Sequence, residues 1–219
     1  MSDEFVIDWQ REGRTAAAEA VFCEGKSVAQ IAAILHAAEG RRLLLTRMPA
    51  ETLAALPAEL AARLDHDRVS RTAILGPPLP LEAARVAIVA AGTADVPVAR
   101  EVARALAFHG RGATSVVDVG VAGLWRLLER LDEIRRHEVV VAVAGMEGAL
   151  FSVLAGLVPT PIIAVPTSIG YGVAAGGRAA LSSALASCAP GLVTVNIDNG
   201  YGAACAALRM LAALGRRPG

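Results

Sequence analysis

The sequence predicts an α/β fold in which a doubly wound parallel sheet follows a small α/β unit. Three observations lead there. Five times after residue 80 an apolar run is followed by a glycine-bearing loop and a helix-like segment; those runs are apolar throughout rather than alternating; and PPLPL, residues 77–81 behind Gly76, excludes a helix and marks a linker. Strands that are apolar on both faces and alternate with helices require helices on both sides of a parallel sheet, joined by right-handed connections. A chain of 219 residues with 54% hydrophobic residues can bury a core of that size and carry an appendage. Residues 1–80 are therefore read as a small N-terminal α/β domain and linker, and 81–219 as the main domain.

In the first unit, residues 27–30 (SVAQ) form a capping-box pattern, and Val28, Ile31, Ala32 and Leu35 then recur at helical spacing. RRLLLTRM reads as a strand, PAELAARL as a helix and RVSRTAIL as a second strand. Cys23, in VFCEGKS beside Glu24 and Lys26, reads as part of an exposed turn before the capped helix, with a small functional corner as the alternative. In the second unit the strands are RVAIVAA, ATSVVDV, EVVVAVA, PIIAV and GLVTVNI, and the loops behind them are AGTAD, GVAG, GMEG, PTSIGYG and DNGYG.

Twenty-one basic and 21 acidic residues cancel, so no field of one sign draws the protein to nucleic acid or to an anionic membrane. Residues 148–177 carry no charge and exceed the ~20 residues that span a bilayer. Pro159, Pro161 and Pro166 would break such a helix, and a short buried strand between loops fits better. The opening residues, MSDEFVIDWQ, read as no secretory signal, which makes the cytoplasm the expected compartment. Cys23, Cys188 and Cys205 form no C-x-x-C pair and read as free thiols.

In a doubly wound sheet the loops after the strands line one edge, where helix N-termini favour an anion such as a phosphate ester or nucleotide. Gly92, Gly120, Gly145, Gly170, Gly172 and Gly200 would allow close backbone approach. The titratable groups of that edge are Asp95, Asp118, Glu147 and Asp198. Each also has a structural reading: Asp95 precedes Val96-Pro97 as a helix cap would, Glu147 complements a first-turn dipole, and Asp118 and Asp198 suit ribose hydroxyls, magnesium or loop hydrogen bonds. His36, His66, His109 and His137 fall outside these loops and read as solvated, which leaves carboxylate or thiolate chemistry. Cys205 reads as a core filler. Cys188 instead sits at an irregular junction between a helix end and Pro190-Gly191, on the edge of the sheet away from the crevice.

VFCEGK, VVDVGVAG, VAGMEGAL, AVPTSIGYG, SCAPG and VNIDNGYGAA resemble the motifs of the LarB family, the pyridinium-3,5-biscarboxylic acid mononucleotide synthases of nickel-pincer cofactor biosynthesis. Residues 85–214 are also similar, more distantly, to the PurE family of aminoimidazole ribonucleotide carboxylases and mutases, whose flavodoxin-like domains form octamers. The resemblance implies carboxylation of nicotinic acid adenine dinucleotide at pyridinium C5 by CO2 or bicarbonate, hydrolysis of its phosphoanhydride to release AMP, and no redox cofactor. It implies Cys188 as the nucleophile. Glu147 is then the candidate for positioning CO2 or deprotonating C5, and Asp95 and Asp118 are the candidate ligands should magnesium take part. Thr93, Met146, Thr167, Ser168, Tyr171, Asn196 and Asn199 complete the expected nucleotide-binding set with the glycines and carboxylates above.

Because Cys188 and the crevice fall on opposite edges, the resemblance to PurE-type assemblies implies a homo-oligomer, an octamer, with sites shared between subunits. Two departures stand out: Ala94 replaces the hydroxyl of an AGTSD-like loop, and Trp125 replaces the histidine of a GLHRLL-like segment. The alternatives are a PurE-type carboxylase or mutase, whose serine-alanine-histidine-arginine loop this chain lacks, and a non-enzymatic nucleotide-binding module.

Overall fold

A computed structural model describes residues 5–215. The first unit runs α1 (Arg11–Thr15), β1 (Ala20–Phe22), α2 (Val28–Ala37), β2 (Leu43–Thr46), α3 (Ala50–Ala55), α4 (Ala58–Ala61), β3 (Leu64–Asp67) and β4 (Thr72–Leu75). Its four strands form a mixed sheet in the order β1-β2-β4-β3, with β1 and β2 parallel and the other pairs antiparallel. The Ser27 side chain caps α2 and Gln30 answers back to the Ser27 amide, as the sequence pattern anticipates.

Three local expectations fail in this unit, each because distant pairing outweighs local propensity. PAELAARL is helical only to Ala61; Leu64–Asp67 is drawn into antiparallel pairing with β4. In RVSRTAIL only Thr72–Leu75 is extended, because the Asp67 carboxylate accepts from the Ser70 amide and hydroxyl and closes a turn. VFCEGKS begins with strand β1, and Cys23 beyond it is buried rather than exposed: its amide donates to the Thr46 carbonyl, and its side chain packs with Ile31, Leu35 and Leu45. Burial pushes the Cys23 thiol up to about 12.

The second unit continues as β5 (Glu82–Ala90), α5 (Val96–Phe108), β6 (Arg111–Val117), α6 (Leu124–Glu129), α7 (Leu131–Ile134), β7 (Val139–Ala144), α8 (Ala149–Leu157), β8 (Ile162–Pro166), α9 (Arg178–Leu185), β9 (Leu192–Thr194) and α10 (Gly200–Gly215). All five strands are parallel in the order β6-β5-β7-β8-β9. Numbered within the unit this is 2-1-3-4-5, the flavodoxin-like doubly wound order, in which the direction of winding across the sheet reverses between β5 and β7. Strand residues sort by parity: Val86, Ile88, Val141 and Val143 face α5 and α10, whereas Ala87, Val89, Val140 and Ala142 face the layer of α6 to α9. The uncharged stretch resolves into α8, β8 and a short turn helix at Gly172–Gly177, and no helix of the described residues is long and apolar enough to cross a membrane.

The small sheet docks on α5. Leu44 and Ile74 turn away from their own unit and join the α5–α10 core. Polar ties surround that contact: Arg100 pairs with Asp67, Arg104 with Asp65 at 2.9 Å, and the Tyr201 hydroxyl donates to the Ala18 carbonyl at 2.8 Å. The Arg100 guanidinium holds the Asp67 carboxyl well below the usual range. Of the four histidines expected to be solvated, only His36 is exposed. His66 bonds the Met48 carbonyl, His137 is buried against the Thr114 hydroxyl, and His109 accepts from the Ala18 amide while its other nitrogen meets the Ala105 carbonyl. Burial lowers the His109 pKa, consistent with a neutral ring serving the junction of the units.

Candidate functional site

Two adjoining cavities open along the C-terminal edge of the parallel sheet. The larger, about 370 Å³, lies at the switch point between the loops after β5 and β7 and is also walled by Gly120 and Arg126 from the β6 side. The smaller, about 130 Å³, lies between the two units, with Arg47, Ser70 and Arg71 on one side and Glu101, Ser168 and Asp198 on the other. Ala94 and Ile169 line both and form the partition. Another hollow of about 450 Å³, lined by residues 12–16 and Arg209, offers no thiol, imidazole or glycine-loop convergence, so volume alone does not mark the site.

Backbone forms much of the larger cavity. Gly145 follows β7 where the chain passes the 167–169 loop so closely that a Cβ would stand 2.2 Å from the Ile169 carbonyl oxygen and 2.7 Å from the Thr167 hydroxyl. Gly145 is thus needed for loop to fit against loop, a packing role beside the close backbone approach expected of it. Met146 and Glu147 come next, both exposed at the mouth; Met146 holds a left-handed φ of 51° and its amide donates to the Ile169 carbonyl at 2.7 Å. Asp118 (φ 63°) and Asp198 (φ 55°) share that sparsely populated conformation, and such strain concentrates where surrounding structure over-determines a loop.

The carboxylates divide by environment. Asp95 is buried: one oxygen accepts from the Gly92 amide at 2.9 Å and the other from the Thr167 hydroxyl at 2.7 Å, tying the β5 loop to the β8 loop. Burial raises its pKa despite those bonds. It does not cap α5 with its side chain. Asp118 is paired with Arg126 on the larger cavity's rim. The two acids therefore do not suit a magnesium site: Asp95 is committed to donors, Asp118 to a guanidinium, and no group of three or more candidate ligand side chains forms among the described residues. Asp198 accepts from the Ser168 amide at 2.8 Å and lines the smaller cavity.

The remaining expected residues scatter along the edge. Thr93 is exposed in the turn after β5. Gly170, Tyr171 and Gly172 lie beyond the partition and line neither cavity, with Tyr171 78% exposed. Asn196 turns back on the Ile197 amide, Asn199 accepts from the Gly202 amide at the start of α10, and the Gly200 amide donates to Glu101 at 3.2 Å. Cys188 follows α9 just before Leu192, which pairs with Ile162 at the first residue of β8, so the exposed thiol stands on the N-terminal edge. Cys205 packs at the margin of the α10 core beside Tyr201, and burial raises its pKa.

Arg47, Arg71, Arg126 and Glu101 went unread in the sequence. Glu101 lies within VPVAREVARALAF, an ordinary amphipathic helix, and its one sequence signal is an acid on the buried face. Arg47 and Arg71 also hold left-handed backbone, at φ 54° and 53°.

The sheet order, the cavity at its switch point and the glycine-walled β7 loop define a PurE-like α/β domain, and residues 85–217 match the AIR carboxylase family model. Residues 3–76 match the LarB/PurE-like N-terminal domain. The chain belongs to the LarB family, a group of carboxylase-type enzymes whose C-terminal domain is PurE-like. It is also 46% identical over 121 residues to "Uncharacterized protein MJ0165" of Methanocaldococcus jannaschii, a match covering 54% of this chain and 46% of that protein. The chain thus aligns with about half the length of that curated relative.

Proposed function

We propose that this protein carboxylates C5 of the pyridinium ring of nicotinic acid adenine dinucleotide and hydrolyses the phosphoanhydride, giving pyridinium-3,5-biscarboxylic acid mononucleotide and AMP. The observation that supports this most is the joining, in one LarB-family chain, of an exposed SCAPG cysteine to a switch-point cavity whose mouth carries Glu147.

The chemistry follows from the ring. A pyridinium cation is too electron-poor to attack CO2. Addition of the Cys188 thiolate to C4 forms a C–S bond and moves a ring electron pair onto nitrogen, leaving a neutral dihydropyridine with an enamine-like C5. C5 bonds to the carbon of CO2, Glu147 takes the C5 proton, and expulsion of the thiolate restores the aromatic cation. One CO2 is gained and one proton lost, so no electron acceptor is needed. Glu147 stands exposed in the loop that walls the cavity, where a carboxylate can reach a ring lodged inside.

Cys188 and the cavity occupy opposite edges of the sheet, so the thiol reaches a ring held by another copy of the chain. The exposed apolar face of α6, with Leu124, Trp125 and Leu128 at 40%, 62% and 49%, supports burial against such a copy. Incubation of the pure protein with the dinucleotide and ¹³C-bicarbonate, with products weighed by mass spectrometry, tests the reading. AMP and a labelled mononucleotide are the expected products. Binding of the dinucleotide with no labelled product would sink it and favour a binding module.

A further inference from the structure

The smaller cavity is built from segments far apart in the chain. Arg47 follows β2, Ser70 and Arg71 precede β4, Glu101 projects from α5, and Asp198 lies in the turn before α10. Arg47 donates to the Asp198 carbonyl, which fixes its guanidinium across the gap between the units. The exposed Arg71 side chain lines the same cavity. Glu101, a residue only 4% exposed, lines the cavity with them; its Oε2 accepts from the Gly200 amide, while its Oε1 takes no protein hydrogen bond among the described residues. That oxygen is not an isolated buried orphan either, and the side chain lines the cavity.

From this arrangement we infer that the inter-unit cavity is where the phosphoanhydride is cleaved, with Arg47 and Arg71 of the N-terminal unit binding the phosphates and Glu101 accepting the proton of the attacking water. The inference rests on the reading above and adds what that reading leaves open: a second acid–base group, in a different cavity, for the second reaction. The step balances. Water oxygen bonds to one phosphorus, its proton passes to Glu101, the bridging P–O bond breaks, and its electron pair stays on the departing phosphate, whose charge the guanidinium groups offset. Two chemistries are thereby separated by the Ala94 and Ile169 partition, with the ring in the larger cavity and the phosphates in the smaller. At about 130 Å³ the smaller cavity admits phosphates and not a nucleoside, which leaves the adenosine outside.

Electrostatics agree with the role. Glu101 is faced by Arg47 and Arg71 from the small unit, by Asp198 from the turn before α10 and by the Gly200 amide. Burial dominates and pushes its carboxyl up to about 7, against the lowering effect of both arginines. A base is most effective when its pKa lies near the working pH.

The test follows two quantities in one reaction, ¹³C incorporated from bicarbonate and AMP released from the dinucleotide. Wild type is expected to give a ratio of one. Glu101→Gln is expected to lower AMP released per carbon fixed at least tenfold, with the carboxylated dinucleotide accumulating. The wild-type rise in AMP release across neutral pH should vanish in that variant. A ratio that stays at one, or loss of both activities together, overturns the assignment. A second arm is independent of carboxylation: calorimetric binding of inorganic pyrophosphate to wild type and to Arg71→Gln, whose exposed side chain leaves the fold undisturbed. About tenfold weaker binding in the variant is expected, and equal binding, or none to wild type, removes the clamp. Should wild type fix no carbon at all, the reading of the overall function fails, and the pyrophosphate arm still decides the site.

Discussion

The two cavities along one sheet edge are built on different plans. The larger is walled by loops that each follow a strand of the same sheet, so its shape comes from backbone, with Gly145 admitting the Ile169 carbonyl and Asp95 tying the Gly92 amide to the Thr167 hydroxyl. The smaller is walled by charged side chains from two units and exists only because the small sheet docks on α5. The backbone-walled cavity keeps its charged groups, Arg126 and Glu147, alongside the glycine loops. Side-chain walls confer charge selectivity, and they depend on the docking of the units.

The sharpest way to break the comparison lies in neither cavity. Cys188→Ala should abolish carbon fixation, by at least about a thousandfold, without altering the fold, as removal of a nucleophile does. Mixing that variant with Glu147→Gln chains should restore part of the activity if thiol and cavity come from different copies. No recovery in mixed oligomers verified by mass would confine the site to one chain.

Next in size is the backbone wall. Gly145→Ala forces a Cβ against the Ile169 carbonyl and the Thr167 hydroxyl, an overpacking of about 1–3 kcal/mol. The melting temperature should fall by several degrees and carbon fixation with it, while pyrophosphate binding persists. Simultaneous loss of both would mean that the cavities are mechanically one.

Glu101→Gln probes the charged wall through stability. The folded-state pKa of Glu101 is raised from 4.5 to about 7, so the folded protein binds a proton more readily than the unfolded chain, and this group makes wild type lose stability as pH climbs from about 4.5 through 7. Above pH 7 the variant, free of that cost, should be the more stable by on the order of 1–2 kcal/mol, and the gap should close toward pH 4.5, as thermal melts across pH would show.

The smallest effect belongs to the docking contact. The folded-state pKa of Asp67 is depressed, so its pairing with Arg100 stabilises the protein above the ordinary carboxylate range and fades as pH falls through the lowered value. Arg100 is half exposed, which limits the gain; Asp67→Asn should cost no more than about 1 kcal/mol at neutral pH. A larger loss would show that the small cavity's walls hang on this one pair.

How much was legible follows the same division. The loops of the larger cavity are contiguous motifs, and Gly92, Asp95, Gly120, Gly145, Met146 and Glu147 do converge at its walls. Asp198 and Ser168 were legible as motif residues, yet their place in a second cavity was not. Glu101, Arg47 and Arg71 escaped notice because nothing local distinguishes a buried helix acid or a turn arginine until partners far along the chain are known. The errors in the small unit have the same root. Leu64–Asp67 continues a helix-like run and becomes a strand only by pairing with β4, and Cys23 reads as exposed until β1 joins β2 over it.

By itself the sequence determined the period of the main domain: short apolar strands, glycine-bearing loops behind them, helices between, and so a parallel sheet with one loop-lined edge. These features depend on neighbours in the chain. Only the tertiary structure decided that Gly145 serves the fit of loop on loop, that Asp95 is a buried tie rather than a free carboxylate, and that a titratable Glu101 faces two arginines across the gap between units. The physical reason is that burial and opposing charge are set by what packs across a gap, and no short window of sequence contains both sides of it.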